Sequence, residues 1–182
     1  MQKVTQEKID EIMQSDEISD IIFYGINFSN YNFSAKRFHD CEFQKCNLSN
    51  IQLKNTTFDT IWFKDCKIMW LKFVDLESLL LQINFYDCDI SLCSFYGLEM
   101  KKTTFADCEI KECDFTQTHL QNSKFEYCNL EKSIFFQTKL EKVDFSGSHS
   151  FVIDPNHNTL KWTIFNRENV FWLLQHLDIQ IK

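Results

Sequence analysis

Eight cysteines are the residues of this sequence best suited to chemistry, because a thiolate can bind a metal ion, attack an electrophile or form a disulfide. They stand at positions 41, 46, 66, 88, 93, 108, 113 and 128. The five histidines, at 39, 119, 149, 157 and 176, lack the regular spacing of metal ligands. His39 and Cys41 form the one close His/Cys pair, and alternation along the chain should point one side chain outward and the other inward.

Carboxylates beside three of these cysteines form a second candidate site, which we call the acidic strip. Its members flank Cys66, Cys88 and Cys108 or lie close to them: Asp65, Asp87, Asp89, Asp107, Glu109 and Glu126. Like charges on neighbouring strands repel each other, so such a cluster does not favour folding. Two explanations stay open, namely inheritance through duplication of a repeat unit, or an anionic surface that imitates the phosphate spacing of DNA.

A five-residue period positions both sets of residues. From Phe105 to Phe145 every fifth residue is apolar, and the same period runs from Phe85 to Met100 and from Phe23 to Phe73. This period fits neither a helix nor a strand, so the chain must turn a corner every five residues. All eight cysteines lie two positions before an apolar residue, where Ser and Thr also occur. We therefore predict buried, reduced thiols and no metal or disulfide site.

The recurrence of cysteine sets the number of sides. Cys46 and Cys66, Cys93 and Cys113, and the series 88, 108 and 128 repeat every twenty residues, which indicates four five-residue segments in each turn. One turn of 22 residues, with an insertion between Val74 and Gln82, puts the whole chain in register, and Leu79 or Leu80 should then fill the core position. The alignment predicts a core stack of aromatic rings: Phe63, Phe85, Phe105, Phe125 and Phe145. Stacked turns about 4.8 Å apart would hold such rings at a favourable distance.

The pattern resembles the pentapeptide-repeat family over about residues 23–147. Segments such as Cys88-Asp89-Ile90, Cys113-Asp114-Phe115 and Cys128-Asn129-Leu130 look like the A(D/N)LXX unit of that family, with cysteine in the small position. The resemblance implies an all-β solenoid, a right-handed quadrilateral β-helix of about six coils. It also implies a short N-terminal helical cap and a C-terminal helix.

The segments outside the repeat predict two caps, 1–22 and 148–182, around the β-helix at 23–147. Thr5 to Gln14 has the pattern of a short amphipathic helix with Thr5 as its N-cap. Thr159 to Phe165 is predicted as a last strand, and Arg167 to His176 as a helix capped by Asn166.

The C-terminal helix is apolar over more than one stripe, which is typical of a helix with a second partner. We expect a homodimer through this segment: Val170, Phe171, Trp172, Leu174 and Leu177. The tail resembles the C-terminal dimerisation module of Qnr-like proteins, and a final strand at Ile179-Gln180-Ile181 would suit that role.

Composition excludes several classes of function. The net charge is −7, and residues 23–147 hold seventeen acidic and fourteen basic residues, so the repeat region is mildly acidic and is not a basic nucleic-acid binder. No apolar run is long enough to span a bilayer, and the N-terminus lacks the apolar core of a secretory leader. With eight reduced cysteines, a cytoplasmic location is the simplest expectation.

No motif for catalysis stands out: the sequence has no glycine-rich phosphate loop, no serine nucleophile elbow and no HExxH. We therefore predict a protein that is not an enzyme and needs no cofactor. Resemblance to Qnr-type quinolone-resistance proteins and topoisomerase-poison immunity proteins implies a DNA mimic that binds DNA gyrase or topoisomerase IV. The alternative is a scaffold or protein-interaction module without a topoisomerase role, which outward aromatics at Trp62, Trp70, Tyr86, Tyr96 and Phe136 favour equally.

Overall fold

The computed structural model describes residues 1–77, 81–174, 177 and 179, which form a parallel β-solenoid of about seven turns with one short α-helix. The strands are β1 (Gln2–Val4), β2 (Glu17–Ser19), β3 (Ile21–Tyr24), β4 (Arg37–Gln44), β5 (Thr57–Lys64), β6 (Lys67–Met69), β7 (Ile83–Tyr86), β8 (Asp89–Ser91), β9 (Thr104–Ala106), β10 (Glu109–Lys111), β11 (Lys124–Glu126), β12 (Ile134–Phe135) and β13 (Val152–Ile153). The helix α1 is Ile9–Ile12, and short 3₁₀ helices span Gln6–Lys8, Phe73–Asp75 and Val170–Leu174.

Strand pairing confirms the predicted register. In β4 and β5, Phe43 lies opposite Phe63, twenty residues later. In β5 and β7, Phe63 lies opposite Phe85, twenty-two residues later. Thr56 still pairs with Leu76, so the two extra residues enter after Leu76 and before Ile83. Leu79 and Leu80, expected to fill the core at this point, lie outside the described residues.

Left-handed backbone conformations form the corners between segments. Among the residues that the structure describes, twenty-three non-glycine residues have positive φ, and from Asp20 to Lys142 most follow one another at five-residue intervals. Most of these residues donate their backbone N–H to a carbonyl of the following turn, as Asp87 does to Ala106 at 2.9 Å. The regular strands are therefore only two to eight residues long, because the chain bends after each apolar residue.

Stacked aromatic rings fill the core. The rings of the core stack lie 4.6–5.1 Å apart from Phe63 to Phe145, with interplanar angles of 5–11°. A second stack runs through Phe73, Phe95, Phe115 and Phe135 at 4.7–5.0 Å and meets the first edge to face. Both geometries are favourable for aromatic quadrupoles. The core therefore gains ring contacts along the solenoid axis and across it.

All eight cysteines are buried with free thiols. Burial raises the pKa of Cys41 to about 11, and burial likewise raises the pKa of Cys113 well above its usual range. Hydrogen bonding between stacked thiols, together with burial, raises the pKa of Cys66 and Cys108. These four thiols stay protonated at neutral pH and are poor nucleophiles, whereas hydrogen bonds from adjacent thiols lower the pKa of Cys46 and Cys88.

The N-terminal segment differs from its prediction. β1 pairs in parallel with β3, so Val4 lies opposite Phe23 and the chain contributes a strand before the helix begins. The helical region is split into Gln6–Lys8 and the four-residue α1, and Thr5 makes no capping hydrogen bond through its side chain. Thr5 therefore occupies the predicted N-cap position, where its carbonyl accepts the Lys8 N–H at 3.1 Å, but its side chain does not cap the helical turn.

The five-residue period resumes after an interruption near the C-terminus. Val152 lies eighteen residues beyond its partner Ile134, whereas Thr159 and Ile164 return to the spacing of twenty through isolated bridges to Lys139 and Asp144. Phe165 stacks on Phe145 at 5.6 Å and extends the aromatic core. The solenoid pattern thus continues past residue 147, and the predicted last strand consists of two separate bridges.

The segment that the sequence predicts as a C-terminal helix is described only in part. Asn166 caps the segment as predicted, since its Oδ1 accepts hydrogen bonds from the N–H groups of Glu168 and Asn169 at 2.8 and 2.6 Å. Residues 167–169 form a turn, and Val170–Leu174 is a 3₁₀ helix. Residues 175 and 176 lie outside the described residues, as do Gln180 and Ile181 of the predicted final strand.

Candidate functional site

Three members of the acidic strip occupy successive corners of the solenoid. Asp65, Asp87 and Asp107 have φ values of 53°, 53° and 54° and are exposed. Aspartate tolerates the left-handed conformation better than most residues, because its short side chain can hydrogen-bond locally. The backbone therefore gives these three carboxylates a structural role, whatever else they do.

Two further carboxylates lie two residues after the corners, at equivalent positions of successive turns, and so form a column adjacent to the corner column. Asp89 of β8 pairs directly with Glu109 of β10 in the parallel register. Asp89 Oδ1 accepts a hydrogen bond from Ser91 Oγ at 2.8 Å. Glu109 Oε2 lies 2.7 Å from Lys111 Nζ and accepts a hydrogen bond from Asn129 at 2.9 Å. Hydrogen bonding to Lys111 lowers the pKa of Glu109, so this carboxylate is ionised at neutral pH.

Glu126 belongs to a different side of the solenoid. It lies in β11, is half-buried and pairs with Lys124 at 3.4 Å. Its carbonyl oxygen accepts the Asp107 N–H at 2.8 Å, so it stands across the corner from the strip. The structure thus groups the five other members on two neighbouring columns and sets Glu126 apart. Tyr127 continues the corner column beyond Asp107 and is strongly exposed, which the charge pattern did not reveal.

Outward aromatic residues do not form one surface. Trp70, Tyr96 and Phe136 are exposed, whereas Trp62 and Tyr86 are half-buried. Trp70 and Leu92 occupy the same corner of two successive turns, and the Trp70 N–H donates to the Ser91 carbonyl at 3.2 Å. Exposed Val74 and Tyr96 follow on the same two turns, so these four residues share one side of the solenoid.

The residues predicted for a dimer interface separate into two groups. Val170, Phe171 and Leu177 are exposed. Trp172 and Leu174 are half-buried, and Trp172 packs against the core of the same chain. The exposed group leaves an apolar surface at the C-terminal end of the solenoid, together with Ile164 and Ile179.

Titratable residues elsewhere form small pairs. His39 is exposed while Cys41 is buried, and the imidazole lies 2.9 Å from Asp40 and 2.7 Å from Asp59. Within residues 1–77, 81–174, 177 and 179, no group of three or more His, Cys, Asp or Glu side chains is placed to hold a metal ion. No helix in this part of the chain is long and apolar enough to cross a membrane.

Comparison with solved structures shows the same fold in other proteins. A trypsin-treated form of QnrB1, described as a plasmid-mediated fluoroquinolone resistance protein, matches with a TM-score of 0.58 and 13% identity, over 91% of this chain and 90% of that chain. A second trypsin-treated form of QnrB1 gives a TM-score of 0.51 and 18% identity over the same shares. HetL from the cyanobacterium Nostoc sp. strain PCC 7120, a pentapeptide repeat protein involved in heterocyst differentiation regulation, gives 0.51 and 9%, over 82% and 85%.

Sequence comparison identifies the family. No curated protein matched the sequence. The family model described as "Pentapeptide repeat region" matches residues 17–79 and 77–145, and it indicates no enzymatic family. These matches span most of the chain and cover the turns whose five-residue corners and stacked cores are described above. This chain therefore belongs to the pentapeptide-repeat family.

Proposed function

We propose that this protein binds a type II topoisomerase, DNA gyrase or topoisomerase IV, by imitating DNA, and so protects the enzyme from inhibitors such as fluoroquinolones or peptide toxins. The acidic strip carries the proposal. Its five grouped members extend over three successive turns of a repeat region that otherwise nearly balances its charges. A surface that holds a DNA backbone must be basic, so it attracts an anionic rod. The protein itself would not bind nucleic acid.

The remaining parts of the proposal concern shape and assembly. We infer a right-handed quadrilateral winding, as the family resemblance implies, and a homodimer through the exposed Val170, Phe171 and Leu177. A dimer would double the length of the rod and bury apolar surface that a lone chain leaves in water. A cytoplasmic location is consistent with eight free thiols. The likeness to QnrB1 supports the fold on which this proposal depends.

The test is a supercoiling assay with gyrase and a fluoroquinolone. Asp87, Asp89, Asp107 and Glu109 are replaced together by Asn and Gln, which should abolish most of the protection while leaving the fold intact. The control neutralises four exposed glutamates away from the strip, Glu7, Glu11, Glu77 and Glu168, so that both variants change the net charge equally. Wild-type binding should also weaken steeply with salt, because exposed charges are screened beyond about 8 Å at physiological ionic strength.

Equal protection by the strip variant and the control would show that these acids serve only the corners of the fold. A wild-type protein without effect on gyrase or topoisomerase IV would remove the topoisomerase function altogether. The second candidate, a scaffold that binds another protein, would then stand. The exposed Trp70, Val74, Leu92 and Tyr96 on one side favour it, because grouped apolar side chains mark partner surfaces.

A further inference from the structure

A groove of about 340 Å³ lies beside Trp70, just before the point where the two extra residues enter the repeat. Phe73–Asp75 forms a 3₁₀ helix where the other turns continue with a left-handed corner, and Asp75 forms part of the groove wall. Regular turns present flat sides, so a change in the backbone path creates a concave surface. The volume falls within the range of small-molecule sites, which is roughly 300–1,000 Å³.

Polar side chains from three successive turns line this groove. Amides come from Asn30, Asn50 and Gln52, and Asn50 Nδ2 donates to Asn30 Oδ1 at 2.9 Å. Charged groups come from three further residues: Lys54, Lys72 and Asp75. Within the part of the chain that the structure describes, the side chains of Gln52 and these three residues make no hydrogen bond or ion pair. The groove therefore offers free donors and acceptors, of which the amides supply both kinds.

Trp70 provides a flat apolar surface at the edge of the groove. Its side chain is 57% exposed, and its φ of 56° is unfavourable for a bulky residue. The same corner on the two preceding turns is occupied by Asn30 and Asn50, which suit this conformation. Folding does not require tryptophan at this corner. An exposed indole ring does, however, offer a flat face on which a ligand can stack.

A sugar ring fits this combination better than other ligands. Its hydroxyl groups both donate and accept, which matches the amides, and its apolar face can stack on an indole ring. Two lysines against one aspartate leave a net positive charge in the groove, which favours a sugar with a carboxylate. We propose that the Trp70 groove binds carbohydrate, with preference for a hexuronic acid residue. This site is independent of the acidic strip and of any topoisomerase.

The experiment measures binding of trigalacturonic acid and of neutral cellotriose by saturation-transfer NMR and by tryptophan fluorescence. We expect trigalacturonic acid to bind with a Kd of about 1 mM, and cellotriose more weakly. Trp70→Asn, which installs the residue found at this corner in the preceding turn, should weaken binding about tenfold, as loss of a stacked ring predicts. Trp162→Asn is the matched control, since Trp162 is also a left-handed corner, is 72% exposed and lies in a distant turn.

Lys72→Gln should reduce the preference for the acidic sugar while leaving cellotriose binding nearly unchanged. Absence of a signal from both trisaccharides at about 5 mM would overturn the proposal. Equal weakening by Trp70→Asn and Trp162→Asn would also overturn it, as would tighter binding of oligothymidylate, which would indicate a base-stacking surface instead. Circular dichroism of each variant verifies that the solenoid is intact.

Discussion

At the scale of the residue, the inward position two residues before each large apolar residue holds a small side chain that donates a hydrogen bond. Thr118 Oγ1 donates to the Phe95 carbonyl at 2.8 Å, and Ser133 Oγ to the Ile110 carbonyl at 2.9 Å, each twenty-three residues earlier. Cys113 and Cys128 place their Sγ atoms 3.4 Å from the equivalent carbonyls of Ile90 and Phe105. Cysteine, serine and threonine therefore interchange here because each satisfies a buried carbonyl of the preceding turn.

This geometry makes a prediction at Cys128. Cys128→Ser should keep the donor and change the free energy of unfolding by less than about 1 kcal/mol, because the next turn already holds Ser148 in this position. Cys128→Ala should cost about 1–3 kcal/mol, since it leaves the Phe105 carbonyl without its thiol partner and opens a small cavity. Urea unfolding of the two variants measures the difference. Equal stability of the Ser and Ala variants would show that this position requires only a small side chain.

At the scale of the element, the corner is the unit that the backbone constrains most. Glycine and asparagine enter the left-handed region easily, yet many corners here hold bulky or long side chains, such as Leu92, Glu112 and Tyr127. Contacts with the neighbouring turns hold these residues in place, as in the 3.0 Å hydrogen bond from the Glu112 N–H to the Glu131 carbonyl. Local preference is thus overridden by pairing between turns.

Replacing a long corner residue should stabilise the fold. Glu112→Asn should raise the free energy of unfolding by about 0.5–1 kcal/mol, because asparagine suits the φ of 54° and already occupies this corner in two earlier turns, at Asn30 and Asn50. Glu131→Asn is the control, since it removes the same charge from an exposed residue that lacks positive φ. Similar stabilisation of both variants in urea unfolding would attribute the effect to charge and not to the backbone.

At the scale of the whole molecule, each turn contacts only its neighbours, so the two ends must be covered. α1 and β1 cover the first turns, and Val4 and Ile9 are fully buried. The other end leaves Phe171 52% exposed and Leu177 exposed beside it. Solenoids need polar or partnered terminal repeats to stay in solution, which supports association at this end.

The homodimer prediction is tested by light scattering. The wild type should give about twice the chain mass of 21.8 kDa, and Phe171→Glu with Leu177→Glu should give a monomer. Ile134→Glu is the control, because Ile134 is 55% exposed but lies on a side of the solenoid that is not proposed to associate. A wild type that stays monomeric at high concentration, or a control that dissociates equally, would contradict the proposed interface.

The sequence by itself determined the repeat, the inward residues and the register across the insertion. Phe105 and Cys108 could be placed in the core without coordinates, because a period of five repeated over many turns leaves one arrangement that buries every large side chain. The family followed from the same residues. The two ends were harder to predict, since Thr5 and Val152 belong to segments that do not repeat.

Only the tertiary structure decided which outward residues form corners and where the surface becomes concave. It showed that Asp87 is a corner residue whereas Asp89 pairs with Glu109, and that Glu126 lies around the corner from both. The twenty-residue register already places Trp70 level with Asn50, whereas the groove between them appears only in the structure. Outward side chains carry no signal of burial, so the shape of the surface that they form depends on the backbone path between turns. That path changes where the 3₁₀ helix at Phe73–Asp75 replaces a regular corner.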